Sequence, residues 1–248
     1  RAAQVLGQWL VGDGRRASDP FTGIHGYNAE AERRHVRRAL NPAELGALLE
    51  AAERRPVQDL LTVRVGPNRG QAKAHVRPEA LAHARRLGRE RRLFYAALAF
   101  TGLRCAEARS LRVCDVDLGE ARPCIQLRAQ SAKARRGAAL PLRADLAAGL
   151  RAYLAERLAW ARTEATQRNN PVPVRLPGDA PLFPNAPRSV RVFDRDLVAA
   201  GLAHWRPDGT IAKTYERGRT LDMHSLRATF ASLLAQAGVP LATASVLM

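Results

Sequence analysis

The chain has 248 residues, enough for one large domain, or a large domain with a piece of another. Hydrophobic residues make up 46% of it, an ordinary share for a buried core, and no apolar run approaches the roughly 18 residues of a membrane span. Forty Lys and Arg against 23 Asp and Glu leave +17, a field that argues for polyanionic partners, phosphate backbones being the commonest large ones.

Only Lys73, Lys133 and Lys213 are lysines. Coding bias can choose Arg over Lys, but it does not create the surplus over acids. Cys105, Cys114 and Cys124 are odd in number and form no C-x-x-C pair, which points away from a disulfide framework or zinc site and toward a reducing cytoplasm. The opening "RAAQVLGQWL" lacks the basic-then-apolar layout of a signal peptide, and starting on Arg1 suggests a chain that begins mid-protein.

Residues 1–12 read as the end of an amphipathic helix, with Val5, Leu6, Trp9 and Leu10 on its apolar side. The turn-rich, charged stretch "ASDPFTGIHGYNAEAERRHVRR" has the composition of an interdomain linker. Asn41, Pro42 and Glu44 then spell a capping box, and Leu45, Leu48, Leu49 and Ala52 recur at helical spacing, which predicts a helix over 42–54. Thr62–Val65 is a possible strand before a Gly-rich loop. Helices are expected over about 78–87 and 90–100, and Gly102 separates the second from a short helix in "RCAEARSL". Val113–Leu118, Cys124–Leu127 and Ala138–Leu142 read as a small antiparallel sheet, the last two strands flanking the basic turn "AQSAKARRG".

A long helix follows Asp145, with Leu146, Leu150, Tyr153, Leu154 and Leu158 on one side. Residues 163–181 read as a Pro/Asn-rich loop, "SVRVFDRDLVAAGL" as a helix, and 224–237 as another that stops at Gly238, with a further helix starting at Pro240. The expected class is mainly α with one small antiparallel sheet (α+β).

Three places could carry chemistry. In the helix over 224–237, Leu226, Phe230, Leu233, Leu234 and Ala237 form one stripe. His224 and Arg227 lie beside it next to Ala231 and Ala235, whose small side chains leave room for something bulky. An isolated His-x-x-Arg is more often a helix start and a snorkelling arginine than a site. In "FTGLRCAEARSL", Arg104 follows a Gly turn directly after a buried helix, so the core fixes its backbone while its planar fork can reach a phosphate. Glu107 can orient it, although a surface Arg–Glu pair would look the same. Lys133 sits on the hairpin turn; an amine can give up a proton where guanidinium cannot, and a solvated turn residue is the plain alternative.

Together, in this order, the segments "TGLRCAEARSLRVCDVDL", "AKARRGAALPLRADL", "PLFP" and "MHSLRATFASLLAQAGVPL" resemble the tyrosine recombinase, or phage integrase, family across roughly 40–248. The resemblance implies a C-terminally truncated catalytic domain over 41–248, a linker over 28–40, and the end of a helical core-binding DNA-binding domain over 1–27. It implies breakage and rejoining of double-stranded DNA through a 3′-phosphotyrosyl link, without metal or cofactor. Arg104 and Arg227 would hold the phosphate, Lys133 would protonate the leaving 5′-oxygen, His224 would assist proton transfer, and Glu107 would support the arginines from behind.

The position after the second Arg, often His in the family, is Ala228. Tyr27, Tyr95, Tyr153 and Tyr215 all precede His224, so the nucleophile is expected outside this chain and the chain alone is expected to be inactive. Full-length relatives act as tetramers on paired DNA sites; this chain is expected to be monomeric. Two other readings remain: a non-catalytic DNA-binding derivative, and a basic RNA-binding protein, which leaves the ordered Arg, Lys and His-x-x-Arg set unexplained.

Overall fold

The computed structural model describes residues 2–24, 36–129, 137–215, 218–240 and 242–244. The chain divides into two compact units, residues 1–36 and 37–248. In the first, helix α1 (Ala2–Gly12) forms over the predicted stretch. A Cβ on Gly7 would come within 1.8 Å of Asp19 Oδ1, so the glycine is what lets the following turn fold onto the helix.

In the second unit, α2 (Pro42–Leu61) starts on the predicted capping box: Asn41 Oδ1 accepts from the Glu44 N–H at 2.8 Å and Glu44 Oε2 from the Asn41 N–H at 2.9 Å. The helix does not stop near residue 54 but runs on through Pro56. Proline removes one intrahelical hydrogen bond. Tertiary contacts hold the turn instead, because Arg55 binds Asp196 (2.5 Å), Asp59 (2.8 Å) and the Val192 carbonyl (3.1 Å). Beyond it the expected strand at Thr62–Val65 reduces to one bridge, Thr62 to Ala72.

The two helices expected over 78–100 are one, α3 (Pro78–Thr101). Gly88 does not break it. It is the point where α3 crosses α2, and a Cβ there would sit 2.0 Å from the Glu53 carbonyl oxygen. After α4 (Cys105–Ser110), residues Val113–Asp115 form a 3₁₀ turn rather than the start of a strand, fixed by Asp115 Oδ2 accepting from the Arg112 N–H at 2.8 Å. Strands β1 (Val116–Asp117), β2 (Cys124–Leu127) and β3 (Ala138–Pro141) make the antiparallel sheet in that order, with Ile125 opposite both Val116 and Leu140.

Helix α5 (Ala144–Gln167) runs a turn into the expected loop, and Asn169, at φ 54°, follows its end. Helix α6 (Val190–Ala199) is capped by Ser189. A second hairpin, β4 (His204–Trp205) against β5 (Ile211–Ala212), was not anticipated, although "PDG" at its tip is a turn signal. Strand β6 (Arg219–Thr220) leads into α7 (Ser225–Gln236), and Gly238 closes that helix at φ 72°.

Helix α3 is central and packs against α2, α5 and α7. Edge-to-face ring contacts, Phe94 with Phe183 (5.5 Å) and Tyr95 with Phe193 (5.3 Å), join α3 to the "PLFP" segment and to α6. Each such pair adds about 0.5–1.5 kcal/mol beyond the area it buries. The fully buried Asp196 carboxylate accepts from Arg55, from Arg91 (3.2 Å) and from the Tyr95 hydroxyl (2.8 Å), tying α2, α3 and α6 at one point. Among the described residues no helix is long and apolar enough to cross a membrane. The fold is mainly helical with a small antiparallel sheet, as the sequence predicts, and has the second antiparallel hairpin besides.

Candidate functional site

The site begins where α3 ends. Gly102 takes φ 67° and its N–H caps the Leu98 carbonyl at 3.1 Å, turning the chain sharply so that Arg104 stands at the head of α4. A Cβ on Gly102 would meet the Phe230 ring at 2.4 Å, so α7 packs directly onto this turn. That packing brings the second arginine in: Arg227 of α7 donates from Nη1 to the Gly102 carbonyl. Two arginines 123 positions apart therefore share one two-residue turn as their support.

Glu107 lies behind the first of them, 4% exposed. Its carboxylate accepts from the Arg104 backbone N–H at 2.8 Å and from Arg104 Nη1 at 3.0 Å, so one buried group fixes both the backbone and the fork. Arg227 is held below its usual basicity, first by burial and then by the Arg104 charge, with Glu107 opposing. It remains a cation at neutral pH. Burial and a neighbouring guanidinium both disfavour the charge on Arg227. An anion beside it relieves both effects.

His224 stands exposed at the first turn of α7. The turn is built by reciprocal bonds: Asp222 Oδ1 accepts from the Ser225 N–H and Ser225 Oγ from the Asp222 N–H, both at 3.0 Å. His224 and Arg227 line one recess of about 350 Å³ with Ala228, Ala231 and Arg37. The open side next to Ala231 that the helical spacing predicts is present; the Arg37 wall was not foreseen. The Cys105 thiol touches Met223 Sδ at 3.0 Å, linking the residue after Arg104 to the residue before His224. Burial raises the pKa of that thiol and keeps it a proton donor.

The structure thus brings Arg104, Glu107 and Arg227 together and puts His224 on the same recess as Arg227. Lys133 lies outside the described residues; the strands that flank it in sequence, β2 and β3, pair through Leu127 and Ala138. The tyrosines that are described are engaged elsewhere. Tyr95 donates to Asp196, Tyr153 is buried against Phe183, and the Tyr215 hydroxyl donates to the Leu202 carbonyl. Burial pushes the Tyr95 and Tyr153 phenols well above the usual range. Tyr27 is outside the described residues.

The profile of the phage integrase family matches residues 74–248, which includes every element of this site but Arg37. The chain belongs to the phage integrase family. Among solved structures it is similar to the XerH site-specific recombinase bound to a palindromic difH substrate in a post-cleavage complex, at 20% identity and TM-score 0.50, covering 90% of this chain and 48% of that one. The XerA recombinase (16% identity, TM-score 0.49, all of this chain and 64% of that one) and the integrase from mycobacterium phage Brujita (19%, 0.39, all of this chain and 60% of that one) resemble it more loosely. The chain spans about half the length of the XerH chain. Comparison with curated proteins gives no match.

Proposed function

We propose that this chain carries the phosphate-holding part of a site-specific recombinase that breaks and rejoins double-stranded DNA through a 3′-phosphotyrosyl intermediate. One observation carries the reading: Arg104 and Arg227, far apart in sequence, are brought together on one turn and fixed there by Glu107 and the Gly102 carbonyl. Attack of a tyrosine oxygen on the scissile phosphorus forms the Tyr O–P bond and breaks the bond to the 5′-oxygen. Charge builds on the non-bridging oxygens, and the two guanidinium forks neutralise it. A preorganised donor aimed at such charge contributes about 10²–10³ in rate. Lys133 delivers the proton to the leaving 5′-oxygen and His224 assists proton transfer at the phosphate; neither step needs a metal or cofactor.

The reading places the nucleophile outside the four tyrosines of this chain. Three of them have buried or bonded hydroxyls away from Arg104, and Tyr27 precedes the site in sequence. The chain alone is therefore proposed to bind DNA without cutting it. Residues 1–27 are read as the end of a helical DNA-binding domain, 28–40 as a linker and 41–248 as the catalytic domain; the active assembly is read as a tetramer on paired sites, in the cytoplasm. The second reading, a DNA-binding protein without chemistry, is favoured by the same charge of +17. A phosphotyrosyl-trapping assay on nicked duplex, using the protein with its downstream sequence, separates the two. A covalent adduct that disappears in Arg104→Ala and Arg227→Ala supports the recombinase, and its absence in the intact protein supports the second reading.

A further inference from the structure

Arg37 lines the recess at the head of α7 together with His224 and Arg227, which the strand-breaking reading already uses. Its Nε donates to Asp222 Oδ2 at 2.7 Å. Its two terminal nitrogens have no partner among the described residues, and the side chain is 44% exposed. An ion pair this open to water adds little to stability, so stability does not explain the arrangement.

Both ends of the pair are held in place. The Asp222 carboxylate is clamped to the start of α7 through Ser225, two positions before His224. On the other side, the backbone just after Arg37 is anchored at every turn: Arg38 N–H to the Thr220 carbonyl (3.3 Å), Leu40 N–H to Thr229 Oγ1 (2.9 Å), and the Arg38 fork on both oxygens of Glu44 (2.7 and 2.8 Å). The Arg38 guanidinium also lies 4.1 Å over the Tyr215 ring. Arg37 is thus a guanidinium fixed through its Nε edge, with its outer edge free, on a recess also lined by the small side chains of Ala228 and Ala231.

We propose that Arg37 is a phosphate-binding residue of this site: Asp222 holds its Nε edge, and its terminal nitrogens bind a DNA phosphate in the recess with Arg227 and His224. The proposal rests on the reading of the site as a DNA-phosphate site. It gives the segment that enters the catalytic unit a direct part in holding DNA.

The test is the salt dependence of binding to a short duplex, because every phosphate that the protein ceases to neutralise lowers the slope of log K against log salt by about 0.9. Arg37→Ala is expected to flatten the slope by about that amount, as Arg104→Ala does. Arg37→Lys restores the slope at lower affinity. Asp222→Asn keeps the charge of Arg37, so it keeps the slope, while affinity falls several-fold because the fork is no longer aimed. Arg37→Gln, which can still bond Asp222, stands in if the alanine variant does not fold. A wild-type slope in Arg37→Ala and Arg37→Gln, with a flattened slope in Arg104→Ala, overturns the proposal alone. Wild-type slopes in all three variants overturn the DNA-phosphate reading itself.

Discussion

Replacing Gly88 by alanine sets two effects of opposite sign against each other. In an open helix the change gains about 0.8–1 kcal/mol of helix propensity. At this position the new Cβ would lie 2.0 Å from the Glu53 carbonyl oxygen, 2.9 Å from its carbon and 3.2 Å from the Glu53 Cα, all backbone atoms of α2 that cannot rotate aside. The two helices must move apart by roughly an ångström, and overpacking of this kind costs about 1–3 kcal/mol. Because the clash is with backbone, the upper part of that range applies, and the net loss is about 1–2 kcal/mol. For a domain of this size that is roughly 2–8 °C in Tm. Gly46, in α2 with nothing within 4 Å of its would-be Cβ, is the control and is expected to gain stability on the same substitution. Urea unfolding followed by far-UV circular dichroism measures both. If Gly88→Ala proves as stable as the parent while Gly46→Ala gains, the close crossing of α2 and α3 is wrong.

Asp196→Ala leaves Arg91 with an uncompensated buried charge and takes from Arg55 one of its two carboxylate partners, and is expected to cost about 3–5 kcal/mol in urea unfolding; a loss under about 1 kcal/mol would contradict the buried network. Glu107→Gln keeps the shape but removes the charge that fixes Arg104, so a stability loss of about 1–3 kcal/mol should accompany weaker duplex binding in a filter assay; binding unchanged from wild type would remove Glu107 from the site. Glu44 is held below its ordinary value of 4.5, chiefly by its hydrogen bonds to Arg38, with burial opposing. Its folded value is the lower one, so its stabilisation is complete above pH 4.5 and is lost as the pH falls through the folded value. The stability gap between the parent and Glu44→Gln should therefore close in acid, and a gap that persists there would count against the Arg38 pairing.

Local signals carried most of the fold. The Asn41–Glu44 box, the Leu45–Leu48–Leu49 spacing and the stop at Gly238 each depend on residues within one turn, and each is where the pattern puts it. The errors share a cause. Gly88 falls in the gap between the two helices expected over 78–87 and 90–100, but what occupies the space beside it is the Glu53 backbone, 35 residues away. Pro56 stays inside α2 because Arg55 reaches Asp196 in α6, a partner that no local pattern names. Arg104, Glu107, His224 and Arg227 were legible as a set only through their order along the chain. Their physical connection, Phe230 against Gly102 and Arg227 on its carbonyl, appears only once α7 is packed on α3. Arg37 had no signal at all, since nothing in "HVRRALNPAEL" marks the first arginine for α7 and the second for Glu44.

The pairing of Arg104 with Arg227 as a phosphate site is tested most directly by titrating the chain with inorganic phosphate while following the guanidinium signals by NMR. Saturable shifts of the Arg104 and Arg227 signals, abolished for each when the other is replaced by alanine, are the predicted result. Shifts that are linear and equal across the exposed arginines, with none at these two, would contradict it.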